Sequence, residues 1–280
     1  MYTTLITAPE LIATPQALVF DCSFELMKPA DGDAQYLQSH IAGAVRADLD
    51  RHLSAKPPQP AVNGGRHPLP TRDDVAQWLA QSGLQAGQQV VVYDRQGANY
   101  CGRLWWMLKW LGHEAVAVLD GGLQAWQAAG GAVVRGQEPP RAPGNFVASA
   151  PVGHLRTVSE VQQQLGQGQT IVDARATPRY KGEVEPLDPV AGHIPGALNR
   201  PFNLNLQADG TFKPAAQLRE EFLALLGDRD PASVVHQCGS GVSAVPNLLA
   251  MEIAGLGRTA LYAGSWSEWC ADPTRPVEKG

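Results

Sequence analysis

Val234-Val235-His236-Gln237-Cys238-Gly239-Ser240-Gly241-Val242-Ser243, continuing as Ala244-Val245-Pro246-Asn247-Leu248-Leu249-Ala250-Met251, is the stretch that decides how this chain folds. Its opening apolar run predicts a strand buried on both faces. Two glycines then let the backbone turn tightly. The apolar segment that follows predicts a helix, because a proline in the first turn forfeits no hydrogen bond. Strand, short loop and helix in that order make one unit of a parallel α/β sheet. Ligands of such sheets gather beyond the carboxyl ends of the strands, where Cys238 stands.

Working outward, the chain repeats itself. Val90-Val91-Val92-Tyr93-Asp94 is an earlier counterpart of Val234–Cys238. Ser39-His40-Ile41-Ala42-Gly43-Ala44 returns as Gly192-His193-Ile194-Pro195-Gly196-Ala197. Upstream of each motif an apolar run ends in aspartate, at Asp21 and at Asp173. Gly121-Gly122-Leu123-Gln124-Ala125-Trp126 is answered by Gly264-Ser265-Trp266-Ser267-Glu268-Trp269. Four matches in one order predict a tandem duplication. The expected fold class is therefore α/β, with two domains that are each a parallel sheet flanked by helices. Residues 1–136 form the first expected domain and 157–280 the second, joined by a Pro- and Gly-rich linker over 137–156. Thr71 and Asp74 read as a helix N-terminus, and Leu218, Phe222 and Leu225 as one helix face. Asp21 and Asp173 are expected to bond to the His-containing turns. His40 and His193 would organise those turns and take no part in catalysis.

Composition narrows the function. The 280 residues carry a net charge of −5 and no Lys/Arg run, which argues against nucleic acid and anionic membrane surfaces as partners. An uninterrupted apolar run of about 18 residues is absent, as is a basic, apolar leader, so a cytoplasmic protein without a membrane span is expected. Cys22, Cys101, Cys238 and Cys270 form neither a CxxC pair nor a Cys/His cluster. That spacing implies no bound metal, and no organic cofactor is implied either.

The chemistry centres on Cys238. Inward-facing amides of the glycine-containing loop, together with the following helix N-terminus, favour a negative charge on the sulfur. The thiolate is the nucleophilic form. Cys22 and Cys270 read as structural. Cys101 is the one rival. When the following helices are aligned it falls opposite Gly241, while Asp94 takes the nucleophile's position. A carboxylate cannot carry sulfur, so the first half is expected to be inactive. A Cys-based phosphatase would need an arginine six positions after its cysteine, and Ala244 stands there. Trp105, Trp106 and Trp110 read as helix core.

These residues resemble a known family. The paired H-I-x-G-A motifs, the strand–Cys–loop–helix and the G-S-W-x-E-W ending are similar to tandem rhodanese-type sulfurtransferases over nearly the whole chain. Cys238–Ser243 resembles the C-G-S-G-V-T loop of the 3-mercaptopyruvate branch, with Ser243 in place of threonine. The resemblance implies an enzyme that moves sulfane sulfur from a small anionic donor, through a Cys238 persulfide, to a thiol, cyanide or sulfite. It implies loop contacts from Gly239, Gly241, Val242 and Ser243, and a donor-binding Arg179. It also implies a Ser240–His67–Asp50 relay for proton transfer. A thioredoxin-like protein is one expected thiol acceptor. The branch's second arginine, in an E-P-R-D stretch, is replaced in Glu185-Pro186-Leu187-Asp188. 3-Mercaptopyruvate is the favoured donor. Thiosulfate:cyanide transfer, or a persulfide carrier without fast small-molecule turnover, are the alternatives.

Overall fold

A computed structural model describes residues 1–280. The chain divides into two units. The first comprises residues 1–60, 70–152 and 208–212, and the second residues 61–69, 153–207 and 213–280. Sequence reading drew the halves as continuous stretches, 1–136 and 157–280, with a linker over 137–156. The structure instead assigns a short piece of the first half, residues 61–69, to the second unit.

In chain order the first unit holds β1 (Leu5–Ile6), α1 (Ala8–Ile12), β2 (Leu18–Asp21), α2 (Ala30–Gln38), β3 (His40–Ile41) and β4 (Val45–Arg46). It continues with α3 (Arg72–Gln81), β5 (Val90–Tyr93), α4 (Cys101–Trp110), β6 (Val116–Leu119), α5 (Gly122–Ala128) and β7 (Val133–Val134). Its five-stranded sheet runs β1-β6-β5-β2-β4, parallel throughout. All four residues of β5 are buried, as expected of a central strand covered on both faces. Every residue of α4 is buried too, including the three tryptophans read as core. Thr71 caps α3 by accepting from the Asp74 amide. Residues 137–152, read as linker, run along this unit: the Gly144 amide donates to Ala80 O and the Phe146 amide to Leu84 O.

The second unit holds β8 (His154–Arg156), α6 (Val158–Gln163), β9 (Thr170–Asp173), α7 (Thr177–Tyr180), β10 (Leu198–Asn199) and α8 (Ala215–Leu226). Then come β11 (Val234–Gln237), α9 (Val245–Ile253), β12 (Ala260–Tyr262) and α10 (Ser265–Trp269). Its sheet order, β10-β9-β11-β12-β8, is that of the first unit strand for strand, and again parallel. The two first helices even share a start signal, since Thr7/Glu10 and Thr157/Glu160 both form capping boxes. Neither unit contains a helix long and apolar enough to cross a membrane.

The repeated histidine motifs do the same structural work twice. His40 stacks on Tyr36 and its Nδ1 meets Tyr36 O at 2.7 Å; His193 stacks on Tyr180 and meets Tyr180 O at 2.9 Å. Each tyrosine hydroxyl then donates across the turn, to Ala44 O and to Ala197 O. The aspartates reach these turns through intermediaries, not directly as the sequence suggested. Asp21 accepts from the Tyr93 hydroxyl, which itself accepts from the Ile41 amide. Asp173 holds Arg175, whose Nη2 donates to Gly192 O.

Candidate active site

Cys238 is the first residue after β11 and opens the loop leading to α9. Two features fix the loop's path. Gly241 has φ +74, and a Cβ there would lie 2.1 Å from Ala263 O, so only glycine fits. At its base the loop is tied to α10. The Cys238 amide donates to Ser265 Oγ (3.1 Å), and Cys238 O and Gly239 O accept from the Trp266 and Ser267 amides (3.0 and 2.9 Å). That is the structural use of the G-S-W-x-E-W motif.

The equivalent loop of the first unit shows what such a loop is shaped to hold. It has the same length: β5 ends at Tyr93 and α4 begins at Cys101, as β11 ends at Gln237 and α9 begins at Val245. Cys101 therefore stands opposite Val245, not opposite Gly241 as the sequence alignment gave, and Asp94 stands opposite Cys238. The Asp94 carboxylate accepts four backbone amides: Gln96 (2.9 Å) and Ala98 (3.0 Å) on Oδ1, Tyr100 (2.8 Å) and Cys101 (2.9 Å) on Oδ2. Amides converging in this way form an anion nest. In the second unit the corresponding amides of Ser240, Val242 and Ala244 bond to no other protein group, and only that of Val245 is used, on Val242 O.

The remaining cysteines are poor nucleophiles. Burial, then the Asp21 and Asp94 charges, push the Cys22 thiol well up; burial and Asp94 do the same for Cys101. Burial, then Asp188, raises the Cys270 thiol. All three stay protonated near neutral pH.

Around the Cys238 loop lie cations and one hydroxyl–imidazole pair. His67 Nδ1 is 2.7 Å from Ser240 Oγ, and both residues are buried. The segment carrying His67 is held by α10, where the Arg66 amide donates to Ser267 Oγ and the Gly64 amide to Glu268 Oε1. Arg179, at the end of α7, and Arg66 both face Gly239. A Cβ on that glycine would lie 2.8 Å from Arg66 Nη2 and 3.5 Å from Arg179 Nη1. Arg175 is within electrostatic reach of Cys238. Burial opposes its charge, but Asp173 and then Glu185 outweigh that and keep it charged.

Of the residues singled out by sequence, Cys238, Gly239, Ser240, Gly241, Val242, Ser243, Arg179 and His67 all fall in the second unit. Asp50 belongs to the first, where it pairs with Lys56 (2.9 Å). Arg66 was missed. Sequence reading treated the lost arginine at Leu187 as leaving Arg179 alone, whereas Arg66 supplies a second guanidinium. Its signal was adjacency to His67, on a segment assigned by position to the other half.

Comparison with known proteins agrees with the duplicated fold. The rhodanese family, described as a rhodanese-like domain, matches residues 7–129 and 157–272. A Pseudomonas aeruginosa protein named "Probable 3-mercaptopyruvate sulfurtransferase" is 48% identical, over 99% of this chain and 98% of its own. The thiosulfate sulfurtransferase of Bos taurus is 32% identical over 95% of this chain and 90% of its own. The structure of 3-mercaptopyruvate sulfurtransferase from Leishmania major superposes with a TM-score of 0.82 at 31% identity, covering 96% of this chain and 74% of that one. Two family matches, a duplicated parallel α/β sheet and full-length similarity to sulfurtransferases place this chain in the rhodanese family, as a tandem-domain sulfurtransferase.

Proposed function

We propose that the second unit transfers sulfane sulfur from a small anionic donor, with 3-mercaptopyruvate preferred, through a persulfide on Cys238. The observation that carries this reading is the contrast between the two loops. The nest that Asp94 fills with its own carboxylate is, at Cys238, a set of unpaired amides beside a thiol. Those amides stabilise the negative charge of the thiolate and then of the persulfide.

The donor's carboxylate is seated by Arg66 and Arg179. Arg66 Nε is buried without a partner, so its N–H is an unspent donor on the same edge of the guanidinium as Nη2. The Cys238 thiolate attacks the donor sulfur, and an S–S bond forms while the C–S bond breaks. The bonding pair goes to carbon, giving the enolate of pyruvate, which takes up a proton. Ser240 and His67, in contact at 2.7 Å, move that proton. Asp50 completes the relay only on the family resemblance, and Asp50→Asn tests it through kcat. A thiol, cyanide or sulfite then attacks the outer sulfur and restores the thiolate. A thioredoxin-like protein is a suitable thiol acceptor.

Steady-state kinetics with both donors at one pH test the reading. Higher kcat/KM for 3-mercaptopyruvate than for thiosulfate is expected. The reverse order would make the chain a thiosulfate sulfurtransferase, and slow turnover of both with a stable persulfide would make it a carrier.

A further inference from the structure

Asp188 lies among the donor-binding cations. Its side chain is 3% exposed. Oδ1 accepts from Arg66 Nη1, and Oδ2 from Arg179 Nη2 at 3.3 Å. Each guanidinium is thus shared between Asp188 and Gly239: Arg66 turns Nη1 to Asp188 and Nη2 to Gly239, and Arg179 bonds Asp188 through Nη2 while both its η nitrogens lie near Gly239. Further out, Glu185 accepts from Arg179 (2.7 Å) and pairs with Arg175 (3.4 Å), which also binds Asp173 (2.7 Å). Three arginines therefore meet three carboxylates, and the formal charges of these six side chains cancel. Without a surplus of positive charge in the cluster, each additional negative charge on the donor is less well offset.

We propose that Asp188 is a specificity-determining residue, which partly neutralises Arg66 and Arg179 and so favours a singly charged carboxylate donor over a dianion such as thiosulfate. This rests on the reading of Cys238 as a sulfur-transfer centre with Arg66 and Arg179 as donor cations. Replacing Asp188 by asparagine keeps the shape, an accepting oxygen and the backbone amide that donates to Glu185. It also raises the local charge by one. That change acts twice as strongly on a dianion as on a monoanion, and at contact range inside a protein the difference is worth about tenfold or more.

The test is kcat/KM for thiosulfate and for 3-mercaptopyruvate in wild type and Asp188→Asn, at one pH and ionic strength. The thiosulfate-to-mercaptopyruvate ratio should rise at least about tenfold in the variant. A residue that merely held the loop in place would lower both donors together. An unchanged or falling ratio overturns the proposal. If Asp188→Asn turns over too slowly to measure, calorimetry decides, with sulfate and pyruvate titrated into Cys238→Ser and into Cys238→Ser/Asp188→Asn. The sulfate-to-pyruvate affinity ratio should rise by a similar factor, and a constant ratio overturns the proposal. A wild type that neither turns over nor forms a persulfide with either donor brings down the parent reading, and this one with it.

Discussion

Asp94 and Cys238 occupy one loop position with opposite consequences. The carboxylate consumes four amides and closes its nest; the thiol leaves the equivalent amides of Ser240, Val242 and Ala244 unpaired. Cys238 was legible because strand, cysteine, glycine and helix follow one another in sequence. Arg66 was not, because its value comes from contacts with Gly239 and Asp188, both remote in the chain. Arg66→Ala should raise KM for 3-mercaptopyruvate about tenfold or more, since a charge-assisted hydrogen bond contributes roughly 1.5–3 kcal/mol. An unchanged KM would remove Arg66 from the donor site. His67→Ala should lower kcat about a hundredfold with 3-mercaptopyruvate, whose carbanion needs a proton. It should affect thiosulfate much less, because sulfite leaves without one. Equal losses with the two donors would show that His67 only supports the loop.

At the scale of elements, β11 illustrates what periodicity can and cannot reveal. Its apolar pattern predicted a buried strand, and all four residues are buried. The pattern gave no hint that His236, fully enclosed, would carry an unpartnered Nδ1 and a 3.2 Å contact from Nε2 to Met251 Sδ. Burial, reinforced by Arg200, pushes this imidazole down to about 3. Above the unfolded value near 6.5 the group is neutral in both states and has no effect on stability. Below it the unfolded chain takes up a proton that the folded protein refuses, so stability falls progressively as pH drops towards 3. Between pH 7 and pH 5 this amounts to about 2 kcal/mol. His236→Leu should therefore lose less stability over that interval in urea unfolding, and parallel losses would refute the assignment. Residues 137–152 were less legible. Pro and Gly suggested a free linker, yet the Gly144 and Phe146 amides are spent on Ala80 and Leu84 carbonyls.

For the molecule as a whole, the duplication was the clearest signal in the sequence, because four motifs recur in order and each serves an equivalent place in an equivalent sheet. Less visible was that residues 61–69, with Arg66 and His67, belong to the second unit. Composition carries no record of which unit a short loop joins. It follows that residues 153–280 produced alone, though they keep Cys238, should lose most turnover. Full activity in that fragment would show that Arg66 and His67 are dispensable. The central claim is that one sulfur atom resides on Cys238 between the two half-reactions. Intact-protein mass spectrometry after 3-mercaptopyruvate treatment, with peptide mapping, tests it most directly. The account predicts a gain of one sulfur atom, confined to the Cys238 peptide and absent from Cys238→Ser. Sulfur on Cys101, Cys22 or Cys270, or retained in Cys238→Ser, would contradict it.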